Sequence, residues 1–365
     1  MKERQNQARG VENKQLQEKI IAAEKQLYDK LINLDPKSLN ICKNNQRKLL
    51  LKISDLKKVL RLYGNLLYLS LNNRQISLEE SVLVDYGGGT GLISFLGAEM
   101  GIGTIVYIDI WEISCMDART LSDTLGLSLD HIVCGDVEEL VSYLDNNSIS
   151  IDALTSYDVL EHIYDVESHF KKLSSLSNSK FRLVYASGAN TAFPVYVRSV
   201  RKQQIRREFG NRAKERGGKE SDHPQGYLGL RKNLISEYAT ELDLKAVEQL
   251  AHSTRGLIRQ DIEKCVDEFR LHGKITYHID HPTNTCHPYT GDWCEHLIDF
   301  EWLKYVIENA GFSAEIKPGR YTTGGSLLRK SAKAMLNGII PFLGSCGMMV
   351  APYYVVQADF PNDQI

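Results

Sequence analysis

Residues 82–91, Val-Leu-Val-Asp-Tyr-Gly-Gly-Gly-Thr-Gly, constrain the fold more than any other stretch, because four of the last five are glycine. A glycine inside a regular element costs about 1 kcal/mol relative to alanine. Such a cluster is expected where a turn needs special backbone angles, or where a ligand approaches the backbone closely. The apolar run before the glycines is typical of a buried parallel strand. The stretch therefore predicts a strand followed by a ligand-binding loop.

Downstream of this loop, short apolar runs alternate with helical patterns. Strands alternating with helices indicate parallel βαβ units. The rhythm stops at Gly188 and resumes with a helical pattern at 300–312. The predicted strands are 82–86, 104–110, 130–137, 152–163, 180–188, 313–321 and 351–360, and the predicted helices between the first five are 92–100, 111–125 and 165–175.

The order of these elements predicts an α/β fold. We expect a Rossmann-like, mostly parallel seven-stranded sheet with flanking helices, an N-terminal helical cap and a helical insertion. The predicted boundaries are an N-terminal helical region at 1–80, a sheet domain at 81–188 and 300–365, and an insertion at 189–299. The insertion is far longer than a normal connection, which favours a substrate-binding subdomain or a lid.

A glycine loop between a strand and a helix suits three kinds of nucleotide site. A phosphate-binding P-loop ends in Gly-Lys-Ser/Thr, and no lysine follows Gly91. A nicotinamide-dinucleotide loop needs a third glycine at position 92, which is leucine. The third kind has the form Asp-x-Gly-x-Gly-Thr-Gly, and residues 85–91 fit it at every position. With this loop, the chain resembles the class I S-adenosylmethionine-dependent methyltransferases over about residues 81–188 and 300–360.

The resemblance implies S-adenosylmethionine as cofactor and assigns roles to the first two strand ends. Asp85 would lie near the methionine ammonium of the cofactor, and the loop glycines would let the backbone approach its amino-acid part and ribose. Asp109, at the end of the second strand, would accept both ribose hydroxyls, and Ile110 would contact an adenine face. The loop glycines assigned to cofactor binding are Gly87, Gly89 and Gly91.

The next two strands continue the resemblance. Asp136 and Val137 end the third predicted strand, where the family places an acid against the adenine amino group. Residues 156–165 resemble the segment that runs beneath the sulfonium, which implies a cofactor contact for Tyr157. Each motif alone is weak, but four motifs in order at strand ends form a strong joint signal.

Methyl transfer to a hydroxyl needs a group that accepts its proton. His162, just after the fourth strand, is the first candidate base, and His281 is the second. Asp158, Glu161 and His162 also resemble the acid-x-x-Glu-His segment of ubiquinone-type O-methyltransferases, some of which bind a divalent cation there. A divalent cation is therefore left open but not favoured, and no metal ligand is assigned.

Two further segments contain side chains that could bind a ligand. Residues 277–296 hold several histidines and cysteines without zinc-finger spacing, so an irregular substrate-lining loop is favoured over structural zinc. Asn284, Tyr289 and Trp293 in this loop suit a hydroxyl-rich ligand. Residues 198–220 hold nine basic and three acidic residues, which indicate either a solvated helix face or an anion-binding face.

Composition limits the partners. A net charge of −2 excludes a globally basic nucleic-acid coat, so no DNA partner is expected. Seven cysteines without a C-x-x-C pair, and a polar N-terminus, favour the cytoplasm. The uncharged run 334–358 is interrupted by Pro341 and Pro352, so a spanning helix is not expected. A core helix plus the last strand is favoured there over a membrane-surface contact.

Together these features predict a methyltransferase acting on oxygen or nitrogen of a small molecule or sugar, as in polysaccharide or natural-product tailoring. An anionic acceptor and a homo-oligomer are left open, while stable membrane insertion is not expected. The alternatives are a nicotinamide-dinucleotide oxidoreductase, against which the missing third glycine argues, and a non-catalytic methyltransferase-like scaffold.

Overall fold

The computed structural model describes residues 2–72, 77–176, 181–211, 224–322 and 327–360, with side chains from residue 13 onward. The chain forms two compact units. The first, here called the sheet unit, comprises residues 1–159, 167–187 and 301–365. The second, here called the insertion unit, comprises residues 160–166 and 188–300.

The sheet unit begins with three helices, α1 (Lys2–Leu31), α2 (Lys43–Ser54) and α3 (Leu56–Leu71). Helix α3 has apolar residues at helical spacing, and Leu60, Tyr63 and Leu67 are buried. They share one hydrophobic core with α1 and with the first helix after the glycine loop. The N-terminal helices are therefore packed into the same unit as the sheet.

The sheet has seven strands in the order β3-β2-β1-β4-β5-β7-β6. Strands β1 to β5 pair in parallel, and β7 lies antiparallel between β5 and β6. The predicted Rossmann-like, mostly parallel seven-stranded sheet is thus confirmed. The strands are β1 (Val82–Tyr86), β2 (Thr104–Asp109), β3 (His131–Cys134), β4 (Ala153–Tyr157), β5 (Arg182–Ser187), β6 (Ser313–Pro318) and β7 (Tyr354–Asp359).

Helices connect the parallel strands, as the alternating pattern predicts. They are α4 (Leu92–Glu99), α5 (Glu112–Leu125), α6 (Val137–Asn146) and α7 (Val166–Ser174). Strand β1 pairs with β2 on one side and β4 on the other, with Asp85 opposite Tyr107 and Thr155. Because carboxyl ends of parallel strands meet at one edge of a sheet, the ends of β1, β2 and β4 lie together.

Strands β3 and β4 end several residues before their predicted ends. Strand β4 ends at Tyr157, and residues Leu160–His162 form a 3-10 turn instead of continuing the strand to 163. Strand β3 ends at Cys134, because Asp136 caps α6 with both halves of a capping box. In both places a local cap or turn competes with the apolar run that suggests strand.

The insertion unit contains α8 (Pro194–Phe209), α9 (Tyr227–Tyr238), α10 (Leu244–Ser253) and α11 (Arg259–His272). Its own core includes Leu234, Leu250 and Ile262. A buried ion pair between Arg231 and Glu208 joins α9 to α8 within this unit. Residues 274–299 form neither helix nor strand, apart from one isolated bridge between Cys286 and Trp293.

The chain returns to the sheet unit with α12 (Phe300–Asn309). Helix α13 (Leu327–Ile339) follows β6 and precedes β7 in the sequence. None of the residues of α13 is buried. The expectation that the uncharged run begins with a core helix is therefore wrong. Within the described part of the chain, every helix is too short or too polar to cross a membrane.

Candidate cofactor site and candidate catalytic residues

The glycine loop turns sharply from β1 into α4. Gly87 and Gly88 both donate their backbone N–H to the carbonyl oxygen of Ile108 in β2, at 2.8 and 3.0 Å. Gly89 has a φ of +56°, a conformation that side chains disfavour, and a Cβ there would meet only the carbonyl oxygen of Gly87, at 3.9 Å. The loop at Gly89 is therefore left-handed and faces open space, as a close approach of ligand to backbone requires. Left-handed φ angles recur at Gly87 and Gly91.

The buried side chain of Tyr107 contacts this loop and holds it in place. The hydroxyl of Tyr107 in β2 donates to the carbonyl oxygen of Gly89 at 2.8 Å. A Cβ at Gly88 would lie 2.4 Å from the Tyr107 ring. The glycine at position 88 is thus required by contact with Tyr107 rather than by backbone angles, and the ring and hydroxyl together hold the loop in place.

Asp85, the last acid before the loop, is buried. Its Oδ2 accepts hydrogen bonds from the backbone N–H of Ser94 at 3.0 Å and from the Ser94 hydroxyl at 2.7 Å. Burial raises the pKa of Asp85 to about 6, although the Ser94 bonds and the charge of Lys52 favour the ionised form. At neutral pH the side chain is therefore a carboxylate, as binding of an ammonium group requires.

A lysine from the N-terminal helices reaches the same loop. The Lys52 ammonium in α2 donates to the hydroxyl of Thr90 at 2.9 Å and lies 5.4 Å from the centre of the Tyr63 ring. Burial lowers the pKa of Lys52 to about 8, opposed by the charges of Asp85 and Asp158. A cation and a carboxylate therefore flank the loop, which suits a zwitterionic amino-acid group.

Asp109 is held in a fixed orientation at the end of β2. Its Oδ2 accepts from the backbone N–H of Gly89 at 3.0 Å, and its Oδ1 accepts from that of Trp111 at 2.9 Å. The next residue, Ile110, is 61% exposed although it is apolar. Both carboxylate oxygens of Asp109 are thus held in place, and the apolar side chain of Ile110 beside it is exposed. Both residues lie at the sheet edge that carries the glycine loop.

Asp136 has a structural role in capping α6. Its Oδ1 accepts from the backbone N–H of Glu138 at 2.7 Å, while Glu139 accepts from the Asp136 N–H at 2.8 Å. Val137, the first residue of α6, is buried. The predicted contacts of Asp136 and Val137 with adenine stay predictions, since capping alone accounts for the carboxylate at this position.

Tyr157 is the last residue of β4 and is half-buried. Its ring lies 5.5 Å from that of Tyr63 in α3, in an edge-on arrangement. The N-terminal helices thus also contact the strand end for which a sulfonium contact is predicted. That cofactor contact of Tyr157 stays a prediction.

Residues 84–179 match a family model described as a methyltransferase domain. The matched segment includes the glycine loop, Asp109 and β4. This match supports a class I S-adenosylmethionine-dependent methyltransferase domain over these residues. Three solved structures that match the chain have low sequence identity to it. A methyltransferase from Archaeoglobus fulgidus is 13% identical, with 86% of this chain and 99% of that chain aligned and a TM-score of 0.37.

The second structure, a methyltransferase from Mesorhizobium loti, is also 13% identical, with 78% of this chain and 93% of that chain aligned and a TM-score of 0.35. The third, the [4+2]-cyclase SpnF, is 12% identical, with 84% and 82% aligned and a TM-score of 0.39. TM-scores this low carry no argument about what this chain acts on. No curated protein sequence matches the chain.

His162 belongs to a cluster in the insertion unit, here called the Glu–His–Glu cluster and formed by Glu161, His162 and Glu295. One potential ligand atom from each lies within 4.8 Å of the others. Glu295 has a left-handed φ of 55° and accepts a hydrogen bond from the Tyr196 hydroxyl at 2.9 Å. Two carboxylates and an imidazole can bind a divalent cation, but they can equally form an ion-paired cluster.

The protonation of His162 favours the ion-paired arrangement. Its Nδ1 lies 2.9 Å from the carbonyl oxygen of Trp293 and 3.1 Å from Oδ1 of Asp292, and because both only accept, Nδ1 carries a proton. Burial lowers the pKa of His162, but the hydrogen bond and charge of Asp292 and the charges of both glutamates outweigh it and raise the pKa to about 10. At neutral pH the imidazole is therefore protonated, which disfavours both metal binding and proton acceptance.

His281, the second predicted base, has the opposite electrostatics. Burial and the charge of Arg201 lower its pKa, so the ring is neutral at neutral pH. Its Nε2 accepts from Nη2 of Arg201 at 3.1 Å, since a guanidinium only donates. His281 is thus in the correct charge state for a base, although the lone pair on Nε2 is directed at Arg201. The catalytic roles of His162 and His281 stay predictions.

The irregular loop around His281 is largely internal to the insertion unit. Asn284 is buried, and its Oδ1 accepts from Gln204 Nε2 at 3.0 Å and from the Leu297 N–H at 3.1 Å. Trp293 is buried and stacks on His296 with ring centres 4.1 Å apart. A ligand-lining role therefore remains a prediction only for accessible members of the loop, such as Tyr289, which is 43% exposed.

The exposed basic residues of α8 line a cavity of about 620 Å³. The lining positions recur at helical spacing, so they share one face of α8. The part of the predicted basic segment at 212–220 lies outside the described residues. The cavity is lined by Thr191, Pro194, Val197, Arg198, Arg201, Lys202 and Ile205.

Sequence reasoning missed three residues that shape the cofactor loop: Lys52, Tyr63 and Tyr107. Lys52 and Tyr63 come from helices more than twenty residues before the loop, and no motif links them to it. Tyr107 lies in a predicted strand two residues before Asp109, and strand alternation places both on the same face. That alternation is the one signal that could have identified Tyr107.

Proposed function

We propose that the protein transfers the methyl group of S-adenosylmethionine to an oxygen or nitrogen atom of a small-molecule or glycan acceptor. The observation that carries the cofactor part is the left-handed, open loop at Gly89 flanked by Asp85, Lys52 and Asp109. When bound, S-adenosylmethionine supplies a methyl carbon already activated by its sulfonium. The chain then has to bind that cofactor, exclude water and orient an acceptor.

The cofactor assignment follows from charge and geometry. The Asp85 carboxylate and the Lys52 ammonium would hold the ammonium and carboxylate of the methionine part. The Asp109 carboxylate, oriented by two backbone N–H groups, would accept ribose hydroxyls. Ile110, exposed beside it, would cover an adenine face. Asp136, Val137 and Tyr157 complete the proposed contacts.

The acceptor assignment rests on the insertion unit. The cavity along α8 presents Arg198, Arg201 and Lys202 together with apolar Val197 and Ile205, a combination that favours an acceptor with a phosphate or carboxylate group. Polysaccharide or natural-product tailoring is the corresponding reaction class. His281, neutral at neutral pH, would be the better placed of the two histidines by charge state to accept a proton.

Thermal unfolding with added ligands tests the cofactor assignment. S-adenosylhomocysteine should raise the unfolding midpoint, whereas NAD should not; a midpoint raised by NAD alone would favour the oxidoreductase. Asp109→Ala should abolish most of the stabilisation, while Asp123→Asn, at an exposed position on α5, should retain it. A stabilisation equal in both variants would contradict the role of Asp109.

Turnover separates the enzyme from a non-catalytic scaffold. Purified protein and S-adenosylmethionine would be incubated with paired acceptors that differ only in a phosphate group, and products would be read by the mass of one added methyl. We expect the phosphorylated acceptors to be preferred, and Arg201→Gln to reduce that preference without changing affinity for S-adenosylhomocysteine. Cofactor binding without any methylated product would favour the scaffold.

A further inference from the structure

Helix α13 presents its apolar side chains to solvent. Leu328 is 85% exposed, Met335 63% and Ile339 41%. With about 3.6 residues per turn, positions 328, 332, 335 and 339 form one stripe along the helix. Ala332 completes the stripe and is also exposed. A continuous apolar stripe therefore lies on the outside of the sheet unit.

The opposite side of the same helix is polar and is fastened to the protein. Asn337 accepts from the backbone N–H of Tyr321 and donates to its carbonyl oxygen, both at 2.7 Å. Lys333 donates to the carbonyl oxygen of Thr322 at 3.4 Å. A surface helix normally turns its apolar stripe inward. Here the hydrogen bonds of Asn337 and Lys333 hold the polar side of α13 against the protein, so the apolar stripe faces solvent.

The apolar surface continues beyond the end of α13. Phe342, in the 3-10 turn that follows, is 89% exposed, and Leu343 and Met349 are 40% and 53% exposed. The first residue of the turn, Ile340, is buried and anchors it. Single exposed apolar residues need no explanation, but a group concentrated within one short segment marks an interaction surface.

The charges of this segment indicate what covers it. Between residues 327 and 353 the chain has three basic residues, Arg329, Lys330 and Lys333, and no acidic residue. A second copy docking through the same stripe would bring two sets of these cations together, because a twofold interface uses the same patch on both chains. An anionic lipid surface instead attracts the cations and accepts the apolar side chains.

We propose that α13 and the turn after it form a docking surface for an anionic lipid bilayer, with the helix lying in the plane of the interface. Leu328, Met335, Ile339 and Phe342 enter the boundary between head groups and acyl chains, and Arg329, at the flank of the stripe, contacts the lipid phosphates. Binding is peripheral and reversible. The inference is independent of the acceptor proposed above and uses none of the residues of the cofactor site.

Flotation of the purified full chain with vesicles tests this proposal. We expect the protein to float with vesicles that contain phosphatidylglycerol, to stay behind with phosphatidylcholine alone, and to lose binding as salt is added. The double variant Leu328→Gln/Phe342→Gln should lower the partition coefficient at least about tenfold, because both side chains bury apolar area on binding. Arg329→Gln should lower it about fivefold.

Leu244→Gln is the matched control, since Leu244 is 87% exposed but lies in the insertion unit. It should bind vesicles as the unchanged chain does. Absence of flotation with anionic vesicles would overturn the proposal, as would equal binding by the double variant and the control. If sedimentation shows a dimer that the double variant dissociates, while vesicles do not bind, a second copy covers the stripe and the proposal is wrong.

Discussion

Replacing Lys52 with methionine removes a cation that contacts the glycine loop through a direct hydrogen bond to Thr90. Methionine keeps most of the length and apolar volume of the lysine stem, so the packing of α2 should change little. The ammonium donates to the Thr90 hydroxyl at 2.9 Å and lies in the field of Asp85 and Asp158. Under the proposed function, it also holds the cofactor carboxylate.

The expected loss of affinity follows from the strength of such contacts. A hydrogen bond to a charged group contributes about 1.5–3 kcal/mol, which corresponds to a dissociation constant about 10- to 150-fold higher. Loss of the neighbouring cation also raises the pKa of Asp85 further, since the charge of Lys52 now favours its ionised form. Both effects weaken binding of a zwitterion, so the variant should fall within or above this range.

Isothermal titration calorimetry with S-adenosylhomocysteine measures this loss. Lys58→Met is the matched control, because Lys58 is exposed on α3 and pairs with Asp55 at the surface. Lys52→Arg keeps the charge and should lose much less than Lys52→Met. An unchanged dissociation constant in Lys52→Met would refute the assignment of Lys52 to the cofactor carboxylate.

The pH dependence of the affinity for S-adenosylhomocysteine provides a second test of the role of Lys52. Because the pKa of Lys52 is lowered to about 8, its ammonium is lost as pH rises through that value, and affinity should fall there. Arginine does not titrate in this range, so Lys52→Arg should not show that component of the fall. Identical alkaline profiles for the unchanged chain and Lys52→Arg would show that some other group causes the decline.

The remaining predictions concern stability and metal. Glu208→Gln removes the carboxylate partner of the buried Arg231 charge and should lower the free energy of unfolding in urea by about 3–5 kcal/mol. Glu263→Gln, which breaks a less buried pair with Arg259, should lower it by less than about 1 kcal/mol. Burial raises the pKa of Glu208 but Arg231 and its other partners lower it overall, so this stabilisation is present above the ordinary glutamate pKa and is lost as pH falls through the lowered value. Chelation by EDTA should leave methyl transfer unchanged, because the raised pKa of His162 keeps its imidazole protonated and a protonated imidazole does not bind a metal. Activity that disappears with EDTA and returns with Mg²⁺ would contradict this.

The local pattern of the sequence predicted the sheet and much of the cofactor edge. The strand, glycine turn and helix within residues 82–99 depend on residues close together in the sequence. They can therefore be predicted without knowledge of any long-range contact. The same holds for Asp109 at the end of the second predicted strand, because parallel strands collect their carboxyl ends at one edge. Where local signals competed, as at the capping box of Asp136, the strand prediction ran too far.

Contacts between distant segments were decided only by the tertiary structure. Periodicity shows which residues share a face but not what covers that face, so it could not reveal that Lys52 reaches Thr90 or that Tyr107 supports Gly89. It also could not show that the stripe of α13 points outward, because one amide on Asn337 sets that orientation. The charge state of His162 depends on Asp292, 130 positions away in the chain. The sequence by itself determined the order of elements and the cofactor loop, while packing determined which side chains surround that loop and which face of α13 remains uncovered.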